Sequence, residues 1–114
     1  MRTTAFARED HFHKLIAESV DEGLTALLGS RANQVVYDCL QKRYSIKKEQ
    51  IPDRLNDFGA ALQQMFGKSS QTIGRILAKR LYSKLGLDFL NKSDYAFLDY
   101  VVHASFSTLT IAPE

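Results

Sequence analysis

"TIGRILAKRLYSKLGLDF", residues 72–89, decides the reading of the chain. Ile73, Ile76, Leu77, Leu81 and Leu85 recur every three or four positions, so at 100° per residue they share one broad face of a helix. Arg75, Lys79 and Tyr82, with Lys68 just upstream, fall roughly opposite Ile73 and Leu77. Arg80 and Lys84 fall at the apolar border, where their stems cover hydrophobic surface while their heads reach water. Gly86 ends the run. The basic outer strip admits two readings. One is a solvated face of a core helix whose late cations suit the helix dipole. The other is a contact surface for phosphates or an acidic partner. The strip lacks the aromatic ladder that stacks single strands, since Tyr82 stands alone.

The same period extends both ways from this stretch. Upstream, Phe12, Leu15, Ile16, Val20, Leu24, Leu27 and Leu28 make one stripe, predicting a helix over about 7–28 that Gly29 stops. Gly23 inside it marks a close helix crossing or a weak spot. A second helix starts at Ser30 as N-cap and buries Val35, Val36, Cys39, Leu40 and Tyr44. "SIKKEQIPD" then reads as a connector anchored by Ile46 and Ile51 and broken at Pro52. A third helix covers 53–66, with Leu55, Phe58, Leu62, Met65 and Phe66 inward and Gly67 at its end. Ser69 or Ser70 caps the fourth, and Ser93 caps a fifth whose stripe is Tyr95, Leu98, Val101 and Val102. The β-branched "SFSTLTIAPE" reads as a frayed tail or a strand-like arm.

These elements predict an all-α fold, a single-domain bundle of about five helices over residues 1–114. At 45% hydrophobic and 25% charged residues the chain can bury a core without staples. One cysteine, Cys39, excludes an intrachain disulfide. A net charge of +2 is not that of a globally basic nucleic-acid binder. No apolar run approaches the roughly 18 to 20 residues of a membrane span. "MRTTAFARED" lacks an apolar signal core, so the chain is read as cytoplasmic.

Catalytic chemistry finds no support. His11 and His13 diverge on a helix, His103 is remote, and no spacing makes a metal site of them with Cys39. Cys39 lies on an apolar stripe and reads as a structural thiol. Asp21 and Glu22, or Asp94 and Asp99, do not form an acid/base pair, and no phosphate-cradling loop or nucleophile elbow is present. The expectation is a non-enzyme without metal or cofactor.

A helix-turn-helix is the competing architecture. The 45–52 connector is too long for the tight turn, whereas the Gly67 turn is short enough. Asp53 and Asp57 at the start of the third helix would repel phosphate. A second cationic cluster, Lys42, Arg43, Lys47 and Lys48, would extend the strip if the fold brought it beside the fourth helix.

"GLTALLGSRANQVVYDCLQKRYSIKKEQIP", "FGAALQQMFG", "ILAKRLYSKLGLDF" and "YAFLDYVV" follow one another within residues 15–104. That order, with the Lys79–Leu81–Tyr82–Lys84–Leu85–Gly86 spacing and the Phe97–Asp99–Tyr100 ending, resembles the small archaeal domains catalogued as a Nitrosopumilus output domain. The resemblance implies an α-helical domain, archaeal origin and a part in signal output. It carries no catalytic motif, and "HFH" and residues 105–114 fall outside it.

The leading expectation is therefore a protein-interaction or signalling-output module. A homodimer is included, because Tyr95, Phe97, Tyr100 and Phe106 spread aromatics around the last segment. The alternative is a DNA-binding regulator. Lys47, Lys68, Arg75, Lys79 and Tyr82 are the candidate contacts of either.

Overall fold

The computed structural model describes the backbone of residues 2–111 and the side chains of residues 11–107. Among the described residues there is no strand. The helices are α1 (Arg2–Leu28), α2 (Ser30–Tyr44), a short 3-10 helix (Lys48–Asp53), α3 (Leu55–Phe66), α4 (Ser69–Leu85) and α5 (Phe97–Ile111). The chain is an all-α single domain.

The fourth helix is central because its apolar face is wide. Ile73, Leu77, Ala78, Leu81 and Tyr82 are all buried, and α4 packs against α1, α3 and α5. Ile16, Val20 and Leu24 come from α1, Phe58 and Leu62 from α3, and Tyr100, Val101 and Ala104 from α5. Each large side chain in this cluster is worth about 1.5–3 kcal/mol relative to exposure. Gly23 lies where α1 crosses α4, and a Cβ there would strike the Leu77 Cδ2 methyl. Gly74 serves the same purpose against α5, since its Cβ would lie 3.3 Å from Phe97. Gly23 is thus a crossing point.

The connector after α2 is more ordered than its polar composition suggests. Ser45 takes the left-handed conformation (φ 56°), and the Ile46 amide donates to the Leu40 carbonyl at 3.0 Å. Ile46 and Ile51 are both buried, as anchors should be. Pro52 is accommodated inside the 3-10 helix. Arg54 then ties both sides of the joint, donating from Nη1 to the Ser45 carbonyl at 2.6 Å and from Nε to Asp57 Oδ2 at 3.1 Å. α3 consequently begins at Leu55, two residues later than the sequence pattern indicated.

Several local expectations are corrected. Val35 is 63% exposed, not inward. It and Val36 point 100° apart on α2, and Val36 takes the core side. Val101 and Val102 divide in the same way, with Val101 inside. Cys39 is only partly buried. None of the serines expected to cap does so by its side chain. Gly29 and Lys68 stand at the N-caps of α2 and α4, without side-chain caps. At α5 it is Asp99 Oδ2 that accepts the Ala96 amide, at 2.8 Å. Tyr95 precedes α5 and rests edge-on against Tyr100, 5.0 Å between centroids. The segment expected to be a tail or arm is helical to Ile111, so α5 absorbs most of it. Residues 112–114 lie outside the described residues.

Candidate functional site: the outer face of the central helix

Five cations project from α4 and the turn before it, and the fold treats them in two ways. Arg80 and Lys84 reach sideways to α1. Arg80 Nη1 lies 3.6 Å from Glu22 Oε1, and Lys84 Nζ lies 3.1 Å from Glu22 Oε2 and 3.7 Å from Glu18 Oε1. At 100° per residue both fall on the Ile73–Leu77 face and not at its border, and Leu77 is where α1 crosses. Lys68, Arg75 and Lys79 lie farther round, and none forms an ion pair with a described residue. Lys68 and Lys79 are exposed. Arg75 is half-buried, and its Nε is enclosed without an acceptor. A buried guanidinium donor without a partner carries a desolvation cost of about 1–3 kcal/mol or more.

Tyr82 must be removed from this face. It is 3% exposed, and its hydroxyl donates to the Tyr100 carbonyl at 2.8 Å. Its ring meets Phe89 and Tyr100 edge-on, with centroids 5.5 and 6.1 Å away. Burial first, and then the neighbouring Tyr95 and Tyr100, push its hydroxyl up to about 12. On a wheel Tyr82 lies at the edge of the outer strip. The 87–96 segment folds over that edge, and the sequence pattern does not display that packing.

Lys47 sits elsewhere. It lines a polar cleft of about 390 Å³ with Gln34, Tyr37, Asp38, Gln41 and Glu49, between α2 and the 3-10 helix. Beside it, Lys48 Nζ lies 3.5 Å from Asp21 Oδ1 and 4.8 Å from the centroid of the Tyr37 ring. Of the second cationic cluster, Lys48 is therefore engaged with α1 and α2. Below it runs a polar clamp between those helices. Asn33 Nδ2 donates to Asp21 Oδ1 at 3.1 Å and Thr25 Oγ1 at 2.9 Å, and the Tyr37 hydroxyl donates to Asp21 Oδ1 at 2.9 Å. Burial, reinforced by the Asp21 carboxylate, raises the Tyr37 hydroxyl well above its ordinary value.

The histidines are dispersed. His13 Nδ1 lies 3.5 Å from Asp53 Oδ1, while His11 and His103 are exposed. Among the described residues no three metal-ligating side chains come together.

One feature has no counterpart in the sequence pattern, a groove of about 700 Å³ among α3, the start of α4 and the start of α5. Gly59 and Gln63 line one wall, Lys68 and Gln71 a second, and Phe97 and Leu98 a third. Gln71 Nε2 donates to the Ser93 carbonyl at 2.6 Å, tying the second wall to the third. The only available signal was Gly59, a mid-helix glycine. A Cβ added there would meet nothing within 4 Å, unlike Gly23 and Gly74.

Comparison of the chain with protein-family models, curated proteins and solved structures finds no match. The site must therefore be read from its own chemistry.

Proposed function

We propose that this domain is a non-enzymatic interaction module that binds an acidic segment of a partner protein on the outer face of α4. The observation that carries this reading is the division of cations on α4. Arg80 and Lys84 are paired with Glu22 and Glu18, whereas Lys68, Arg75 and Lys79 have no acid among the described residues. From Lys68 to Lys79 these groups span about 16 Å along the axis at 1.5 Å per residue. That length suits carboxylates on two or three turns of a partner helix. An incoming carboxylate would pair with the exposed Lys68 and Lys79 in charge-assisted bonds. The resemblance to the Nitrosopumilus output domain supports a part in signal output for such a contact.

Duplex DNA is the alternative ligand for the same strip. The packing of α4 against α1, α3 and α5 leaves a narrow outer face, which favours a partner laid along it over entry into a major groove. The test uses two defined probes, a glutamate-rich helical peptide and a random duplex, each titrated at low and high salt. The proposal expects peptide binding that weakens with salt and falls roughly tenfold with Lys79→Glu. Absence of peptide binding at low salt would overturn it. Steep, salt-sensitive duplex binding that Lys79→Glu abolishes would transfer the strip to nucleic acid.

A further inference from the structure

The groove and the cationic strip of α4 meet at Lys68. That side chain stands on the α4 wall of the groove, is exposed, and forms no ion pair with a described residue. The wall built by the start of α5 and the residues before it carries the opposite sign. Asp94 is exposed and forms no ion pair with a described residue, and Asp99 engages the Ala96 amide through Oδ2 and keeps its negative charge. Between these charges the lining is uncharged, with Gly59, Gln63, Gln71 and Phe97. The space there suits a large side chain. A glycine weakens a helix interior, and at Gly59 nothing inside the fold uses the room it leaves, since a Cβ would meet nothing within 4 Å.

We propose that the acidic segment bound by the α4 strip also carries a large apolar or aromatic residue that enters this groove, followed by a cation that meets Asp94 and Asp99. The inference rests on the acidic-partner reading and specifies that partner: acid, apolar anchor and base, in that order along one helical face. Spacing follows from the walls. Gln71, at the groove, and Lys79 lie about 12 Å apart along α4. The anchor therefore stands about two turns, or about seven residues, from the carboxylate that meets Lys79. A carboxylate nearer the anchor meets Lys68 at the mouth.

The change of sign across the groove is what selects this occupant. A uniformly acidic segment that ran on past Lys68 would meet the carboxylates of Asp94 and Asp99, and so would a phosphate backbone. A segment whose charge changes from negative to positive over the groove meets opposite charge on both walls. Its middle residue lies over the uncharged lining, where a buried charge would have no partner and an apolar side chain loses nothing. The charges at the rim set the register, and the enclosed anchor supplies most of the affinity.

Titration of the full chain with four synthetic helical peptides tests the pattern. The first carries only the glutamates. The second adds a phenylalanine about seven residues from the glutamate that meets Lys79. The third adds to the second an arginine one turn beyond the phenylalanine. The fourth is the second with glutamine at every glutamate. The phenylalanine should tighten binding roughly tenfold over the first peptide. Gly59→Leu, which puts a side chain into the open space, should remove that gain and leave the affinity for the first peptide unchanged. The arginine should add a severalfold gain that Asp94→Lys, at an exposed position, turns into a loss. Equal binding of the first and second peptides by the native chain overturns the proposal. So does a phenylalanine gain that survives Gly59→Leu with unchanged helical circular dichroism, or an arginine gain indifferent to Asp94→Lys. Failure of the two readings is distinguishable. Binding of the first peptide with no gain from phenylalanine removes the anchor alone. Equal binding of the second and fourth peptides removes the acidic contact and keeps the anchor, and silence from all four at low salt removes both.

Discussion

The two sides of α4 are built from similar residues and reach opposite states. On the α1 side, Leu77 is fully buried, Gly23 makes room for it, and Arg80 and Lys84 meet acids. On the outer side, Lys68 and Lys79 meet solvent and Arg75 Nε meets nothing. The first side is completed by the fold. The second is left open, although its helix propensity, length and charge are alike. Completion by neighbours, and not composition, therefore separates a structural face from a candidate binding face here.

The largest expected effect lies on the completed side. Leu77→Ala should destabilise the domain by about 2–5 kcal/mol in denaturant unfolding, because the cavity is hemmed in by α1, α3 and α5. Lys79→Ala should fall within about 0.5 kcal/mol of the parent. Comparable losses for both would erase the distinction between the faces.

Glycines give the next sharpest contrast. Gly23→Ala forces a methyl against a Leu77 side chain that has no exposed surface to retreat into. Overpacking of this kind costs about 1–3 kcal/mol, more than the gain of up to about 1 kcal/mol in helix propensity. Gly59→Ala meets nothing within 4 Å and keeps the propensity gain, so it should stabilise the free domain by about 0.4–1 kcal/mol. Opposite signs in thermal unfolding are the expected result. The same sign for both would mean that Gly59 serves the fold after all.

Tyr82 marks the boundary between the two sides. Its hydroxyl is raised from 10.0 to about 12, so the folded state resists its ionisation. The stability this contributes is whole below pH 10 and is lost as the pH climbs towards 12. Tyr37, raised in the same direction, adds to the loss above pH 10. Tyr82→Phe should cost about 0.5–1.5 kcal/mol at neutral pH through the lost bond to the Tyr100 carbonyl. It should also flatten the alkaline fall in stability. An unchanged alkaline slope would place the hydroxyl in water, and with it the outer strip's aromatic.

That residue also shows how far the sequence could be read. The five-helix class, the glycine stops at 29, 67 and 86 and the Leu77–Leu81 core face were legible, because period and turn chemistry are local. Tyr82 and Val35 were misplaced because a wheel ranks angles and knows nothing of which neighbour arrives. The 87–96 segment brings Phe89 over Tyr82, whereas nothing buries Val35 at the edge of the bundle. Lys68, Arg75 and Lys79 remained on the outer face as their angles implied, but Lys47 went to a different cleft, since placing it required the path of the connector. The groove was invisible because its walls come from three elements whose meeting is purely tertiary.

The smallest expected effect discriminates between the cations themselves. Lys84→Ala removes contacts to Glu18 and Glu22 that are partly exposed, so the loss should be only about 0.2–1 kcal/mol and should shrink with added salt. Lys79→Ala removes no ion pair and should show no salt-dependent loss. In partner binding the order should reverse, with Lys79→Ala weakening the complex and Lys84→Ala leaving it nearly unchanged. A double comparison of stability and binding at two salt concentrations reads both orders at once. If Lys84 governed binding as strongly as Lys79, the acids of α1 would be competing with the partner for α4, and the bundle would have to loosen at the α1 seam to bind.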